Sequence, residues 1–206
     1  MQTDLMTSIN RIKEKALKEN VPIICDEGLN FIIELIRTNQ IKSVLEIGSA
    51  VGYSALTFSI KTNCRVVSIE RDANRYQEAL LNQDLLGVSS KKVQFILDDA
   101  LEFNCDLLNE KFDMIFIDAA KSQYEKFFNK YTPYLKNSGI VVTDNLYFHH
   151  LKIENVKNRH TRMLLKKIKK FREFLDSNPI YETKTYDIGD GISVSKRRKN
   201  ENCCYL

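Results

Sequence analysis

Val44-Leu45-Glu46-Ile47-Gly48-Ser49-Ala50-Val51-Gly52-Tyr53-Ser54 is the stretch whose reading decides the fold. Its first half is a short apolar run with the character of a buried strand, Gly48 and Gly52 punctuate it, and a helix-period pattern over 53–60 follows. A strand, a glycine turn and a helix in direct succession open a βαβ unit. The two glycines allow a backbone to approach a ligand closely, while the helix N-terminus offers N–H groups to an anion. Glu46, just ahead of the turn, is placed to meet a cationic group of the same ligand.

Working outward, further apolar runs appear at 65–70, 93–97, 112–118 and 139–143, with the first strand at 43–47. Each is expected to be followed by a helix, among them 53–60, 73–86 and 124–135. Runs that are apolar throughout, rather than alternating, predict a parallel sheet covered on both faces. Helical patterns over 5–18 and 27–38 precede the first strand. Near the end, a basic amphipathic pattern over 156–175 leads into 180–186, Gly189-Asp190-Gly191 and 192–196, a hairpin signal. The expected fold is α/β: a Rossmann-like, doubly wound, mostly parallel seven-stranded sheet with a C-terminal antiparallel hairpin and extra N-terminal helices. Ligands are expected at the carboxyl edge of such a sheet. No linker or repeat divides the chain, so residues 1–199 read as one domain, 1–40 as its helical cap and 200–206 as a tail.

The 206 residues are 43% hydrophobic and 28% charged with only seven Gly and three Pro, which excludes collagen-like and disordered classes. No apolar run is long enough to span a membrane, and MQTDLMTSINRIKEK lacks a signal-peptide core, so a cytoplasmic protein with no membrane partner is expected. The five cysteines have no metal-ligand spacing and fit a reducing compartment. Cys203-Cys204-Tyr205-Leu206 formally matches a prenylation box, a pattern short enough to arise by chance. Charge is uneven: residues 151–199 hold fourteen Lys and Arg against six Asp and Glu, while the rest of the chain is net acidic. That asymmetry fits either a polyanionic partner or a solvated helix face.

The strand ends carry the chemistry. Glu70 closes the second strand about two dozen residues after the first turn, where an acid accepts ribose hydroxyls. The Gly-x-x-x-Gly spacing disfavours a nicotinamide dinucleotide. Asp98-Asp99-Ala100 closes the third strand and either meets an adenine edge or caps the next helix. Asp118, Asp144 and Asn145, at the ends of the fourth and fifth strands, would converge as three hard oxygen donors suited to Mg²⁺ or a similar cation. Lys121, three residues beyond Asp118, is near enough to act on a substrate oxygen held by that ion.

Taken together these residues resemble the class I S-adenosylmethionine-dependent methyltransferases of the cation-dependent catechol O-methyltransferase type. Glu46-Ile47-Gly48 through Gly52-Tyr53-Ser54 matches the cofactor turn and Glu70 the ribose acid. Asp118-x-x-Lys121 with Asp144-Asn145 matches the metal-and-base signature, and Pro22-Ile23-Ile24 the N-terminal cofactor-lining segment. The resemblance implies S-adenosyl-L-methionine as cofactor, bound by Ile23, Glu46, Gly48, Gly52, Tyr53, Ser54, Glu70, Asp99, Ala100 and Asp118. It implies Mg²⁺ on Asp118, Asp144 and Asn145, with Lys121 catalytic.

Within that family the ending is most similar to bacterial tRNA 5-hydroxyuridine methyltransferases, through Thr143-Asp144-Asn145-Leu146-Tyr147-Phe148-His149 and Gly189-Asp190-Gly191-Ile192-Ser193-Val194-Ser195. This implies methylation of 5-hydroxyuridine at the anticodon wobble position to 5-methoxyuridine. Arg159, Arg162, Lys166, Lys167, Lys169 and Lys170 would follow the tRNA phosphates, and Tyr147, Phe148, His149 and His150 would surround the splayed base. A homodimer joined through the N-terminal helices is also implied. The alternative acceptor is a small catechol-like phenol, which offers the same pair of adjacent oxygens. Two departures stand out: Asp98 replaces a common Gly, and the segment from Arg197 onward has no counterpart.

Overall fold

The structure is a computed structural model and describes residues 2–147 and 156–199. Phe148, His149, His150 and the 200–206 tail with Cys203 and Cys204 lie outside the described residues. Two helices, α1 (Gln2–Lys18) and α2 (Asp26–Thr38), precede a strand-and-helix series: β1 (Ser43–Ile47), α3 (Tyr53–Thr62), β2 (Arg65–Glu70), α4 (Ala73–Leu85), β3 (Val93–Leu97), β4 (Phe112–Ile117), α5 (Tyr124–Tyr131) and β5 (Leu135–Thr143). After these come α6 (Arg159–Asp176), β6 (Tyr181–Tyr186) and β7 (Ile192–Arg197). The sheet order is β3-β2-β1-β4-β5-β7-β6; β1 to β5 run parallel, while β7 is antiparallel to both β5 and β6.

The apolar strands serve two cores because alternate side chains leave opposite faces of the sheet. Val44, Val66, Phe116 and Val142 meet α1, α2, α3 and α4, whereas Leu45, Val67, Ile115 and Val141 meet α5 and α6. The amphipathic α6 buries Leu165, Ile168, Phe171 and Leu175 and leaves its cations outside. Each such burial is worth about 1.5–3 kcal/mol.

One expectation fails after β3. The chain turns through a short 3-10 segment, Cys105–Leu108, instead of a full helix. Asn104 accepts from the Asp106 amide, and Asn109 adopts a left-handed conformation that ends the segment at once. The predicted 124–135 helix also stops at Tyr131, where Pro133 falls within a 3-10 turn. Among the described residues no helix is long and apolar enough to cross a membrane, and Cys25, Cys64 and Cys105 are free thiols.

Candidate active site

Backbone bonds stitch the strand ends into one row. The amide of Asp98 donates to Glu70, Gly48 to Ile69, Asp118 to Ile47 and Asp144 to Ile117, at 2.9 to 3.3 Å. A cavity of about 740 Å³ opens along this row. Of the residues expected to hold the cofactor, Ile23, Gly48, Tyr53, Ser54, Glu70, Asp99, Ala100 and Asp118 line it, as do Lys121 and Asn145.

Glu46 and Gly52 do not line the cavity. Glu46 is wholly buried under the turn, and burial pushes its carboxyl up to about 7 despite hydrogen bonds from Ser54 and Ser68. A Cβ on Gly52 would stand 2.7 Å from the Phe95 ring, so this glycine makes room for a strand neighbour. Gly48 has φ +96°, and a Cβ there would lie 2.3 Å from the Asp118 carbonyl oxygen. Both glycines thus serve close packing within the protein, the reading that spacing alone did not supply.

Glu70 is fixed before any ligand arrives. One carboxylate oxygen accepts from the Ala50 amide at 2.8 Å and the other from the Asp72 amide at 2.9 Å. Asp98, Asp99 and Ala100 all line the cavity, whereas the helix-capping reading fails: Asp99 Oδ1 accepts from the Leu101 amide at 2.8 Å within a turn, and the next helical segment, Cys105–Leu108, is capped by Asn104. Tyr131 donates its hydroxyl to the Ala100 carbonyl at 2.6 Å and holds this loop from below.

At the other end, Asp118 and Asp144 share one amide. Asn145 Nδ2 donates to Asp118 Oδ1 at 3.3 Å and to Asp144 Oδ2 at 3.2 Å, and the Asn145 backbone donates to Asp144 Oδ1 at 2.7 Å. Asn145 holds φ +64°, a left-handed conformation that asparagine tolerates better than most side chains. Burial holds both carboxyls above the usual range; their mutual repulsion adds to this for Asp144, while Lys121 and Asn145 oppose it for Asp118. Among the described residues no cluster of three or more His, Cys, Asp or Glu side chains could hold a metal. The donor set here is two carboxylates and an amide whose oxygen and nitrogen exchange by a flip. Clustered carboxylates lacking full compensation are what a hard cation would relieve, so the residues fit one.

The loop after Asp144 is latched by the hairpin. Leu146 donates to the Gly191 carbonyl at 2.9 Å and Tyr147 to the Asp190 carbonyl at 2.6 Å. A Cβ on Gly191 would come within 2.6 Å of the Tyr147 ring, and the Arg172 guanidinium covers that ring at 5.2 Å. Asp190 also lines the cavity, a role hidden in the sequence because Gly189-Asp190-Gly191 reads first as a turn. Arg71, Arg75, Gln123 and Phe127 are further lining residues that motif reading did not reach. The cations expected to contact RNA are exposed on α6, but Arg162 bonds back to the Val156 carbonyl at 3.0 Å and Lys169 pairs with Glu173 at 3.9 Å.

Comparison with known proteins agrees with this fold. The O-methyltransferase family model matches residues 2–198. A Staphylococcus aureus protein, described as a "putative caffeoyl-CoA O-methyltransferase", is 38% identical with a TM-score of 0.88 over 93% of this chain and 92% of its own. Caffeoyl-CoA O-methyltransferase of Populus kitakamiensis is 29% identical over 187 residues, covering 86% of this chain and 78% of that protein. The S-adenosylhomocysteine-bound methyltransferase PaMTH1 of Podospora anserina shares the fold at 22% identity, with a TM-score of 0.78 over 95% of this chain and 88% of its own. The chain belongs to the O-methyltransferase family and is an S-adenosylmethionine-dependent O-methyltransferase.

Proposed function

We propose that the protein methylates one of two adjacent oxygens on an acceptor held by a hard divalent cation at Asp118, Asp144 and Asn145. The observation that carries this reading is the meeting of the half-buried Asp118 and the buried Asp144 carboxylates at the Asn145 amide, with Asp118, Lys121 and Asn145 lining one end of the cavity and Asp144 standing outside its lining. When bound, S-adenosylmethionine supplies an activated methyl group, and a cation lowers the pKa of a coordinated hydroxyl. Lys121 accepts the proton that the acceptor hydroxyl releases, or holds the resulting oxyanion. Glu70 and Asp99 orient the nucleoside part of the cofactor. The protein's main task is alignment, which confers large effective molarities when reacting atoms are held in line.

The relatives' names favour a small catechol-like phenol as the acceptor, caffeoyl conjugates included. A second reading, 5-hydroxyuridine of a tRNA anticodon, is supported by the exposed cations along α6, which suit a phosphate backbone. Both acceptors present adjacent oxygens, so the metal residues serve either one.

The test is transfer of labelled methyl from S-adenosylmethionine to catechol, caffeoyl-CoA and 5-hydroxyuridine-containing tRNA, each with Mg²⁺ and with chelator. Metal-dependent product on the phenols alone establishes the first acceptor, and metal-dependent 5-methoxyuridine establishes the second. Full activity in chelator, retained in Asp144→Ala, would remove the metal from the mechanism.

A further inference from the structure

Arg172 stands on an exposed flank of α6 with its guanidinium carbon 5.2 Å from the centre of the Tyr147 ring. Among the described residues no hydrogen bond or ion pair engages that guanidinium, so its five N–H donors stay available. Two other cations of α6 are committed: Arg162 turns back to the Val156 carbonyl, and Lys169 is paired with Glu173. What holds Arg172 is an aromatic ring, through a cation–π contact that uses none of its donors on an acid.

Tyr147 is itself anchored beside the acceptor end. It follows Asn145 by two residues, a separation of at most about 7 Å along the chain, and its amide donates to the Asp190 carbonyl. Gly191 gives the ring its room, and both Asn145 and Asp190 line the cavity. α6 also packs against the Lys121–Gln123 turn, so Arg172 belongs to the helix that borders the candidate base. The carboxylates of Asp118, Asp144 and Asp190 make the interior hostile to an anion, which leaves the rim as the place for one. A planar guanidinium with unspent donors, held at that rim, matches the oxygens of a phosphate through two parallel N–H···O bonds.

We infer that Arg172, held on the Tyr147 ring, binds a phosphate group carried by the acceptor, which stays at the rim while the acceptor's adjacent oxygens reach the cation site. This deepens the reading given above and rests on Asp118, Asp144 and Asn145 marking the acceptor end. The phosphate belongs to a nucleotide or to a coenzyme A thioester; free catechol has none.

The experiment compares wild type with Arg172→Met, which keeps a stem over the ring and removes the charge, and with Arg172→Lys, which keeps the charge and loses the fork. Methyl transfer is measured on two pairs of acceptors: 5-hydroxyuridine 5′-monophosphate against 5-hydroxyuridine, and caffeoyl-CoA against methyl caffeate. Wild type should prefer the phosphate-bearing member of at least one pair by about tenfold in kcat/KM, the scale of a hydrogen bond to a charged group. Arg172→Met should erase that preference and Arg172→Lys keep part of it. A preference confined to the first pair assigns the phosphate to a nucleotide, and one confined to the second assigns it to coenzyme A. No preference in wild type, or equal losses on both members of a pair, would overturn the site. Should wild type methylate none of the four, the proposed function falls, and the site is then read by NMR titration with uridine 5′-monophosphate and uridine. A preference for the monophosphate that Arg172→Met removes sustains the site, and its absence overturns that as well.

Discussion

The hydroxyl of Tyr124 donates to the main-chain carbonyl of Asp144 across 2.9 Å. Tyr124 is the first residue of α5 and is almost fully buried; its ring meets Phe171 of α6 edge-on, with centroids 5.4 Å apart. The same α6 packs against the Lys121–Gln123 turn. One helix pair therefore sets the positions of both the candidate base and a candidate cation ligand.

Removing that hydroxyl should be felt at the site. Tyr124→Phe leaves the Asp144 carbonyl without its partner, at a cost of about 1–3 kcal/mol. The expected result is a lower melting temperature with a larger fall in metal-stimulated turnover than in S-adenosylhomocysteine affinity. A variant with wild-type melting and turnover would show that the bond positions nothing.

Lys121 offers a sharper separation. Lys121→Ala should lower turnover by about a hundredfold or more, the range for a lost general base. Binding of S-adenosylhomocysteine, measured by calorimetry, should stay within about twofold of wild type. Matching losses in turnover and binding would mean that Lys121 shapes the cavity and leaves the proton to another group.

Stability should depend on pH in a direction set by the buried carboxyls. Glu46 has its pKa raised from 4.5 to about 7, and Asp118 and Asp144 shift the same way. The folded protein thus holds these protons more tightly than the unfolded chain, so the stabilisation is full below the unfolded pKa and is lost as pH rises through the folded one. For Glu46 alone the loss is on the order of 3 kcal/mol between about pH 4.5 and 7. Thermal melts without metal or cofactor should show wild-type stability falling across that window and Glu46→Gln falling less; parallel slopes would place Glu46 outside the effect.

The two acceptor readings part at α6. Changing Lys166, Lys167, Lys169 and Lys170 to Glu reverses its exposed face without touching Leu165, Ile168 or Phe171. If the acceptor is tRNA, its affinity in filter binding should fall steeply and the salt dependence should shallow, since each phosphate contact releases counterions. Methylation of a small phenol should be unchanged by the same substitutions. Unaltered RNA affinity would remove this helix from any interface.

The inner parallel strands were legible because their residues are buried on both faces, so Val66, Val67, Ile115 and Val141 leave no polar alternation to misread, while the edge strand β3 exposes Gln94 and Leu97. The start of β5 was not: Lys136, Asn137 and Ser138 look like a turn before Gly139, yet the strand begins at Leu135. The direction in which Glu46 points was also hidden, although an acid inside a buried strand opposite Ser68 was a usable signal. Arg162 shows the limit of counting charge, because hydrogen-bond partners come from chain reversal at a helix start, which composition does not encode.

The sheet order has a consequence for how the enzyme is made. β7, the last strand in the sequence, lies inside the sheet between β5 and β6, and the Asp190 and Gly191 carbonyls just before it hold the Leu146–Tyr147 loop. A chain emerging from the ribosome therefore presents the nucleoside end of its cavity long before the acceptor end can close. The acceptor end is the last part of the protein to acquire its shape.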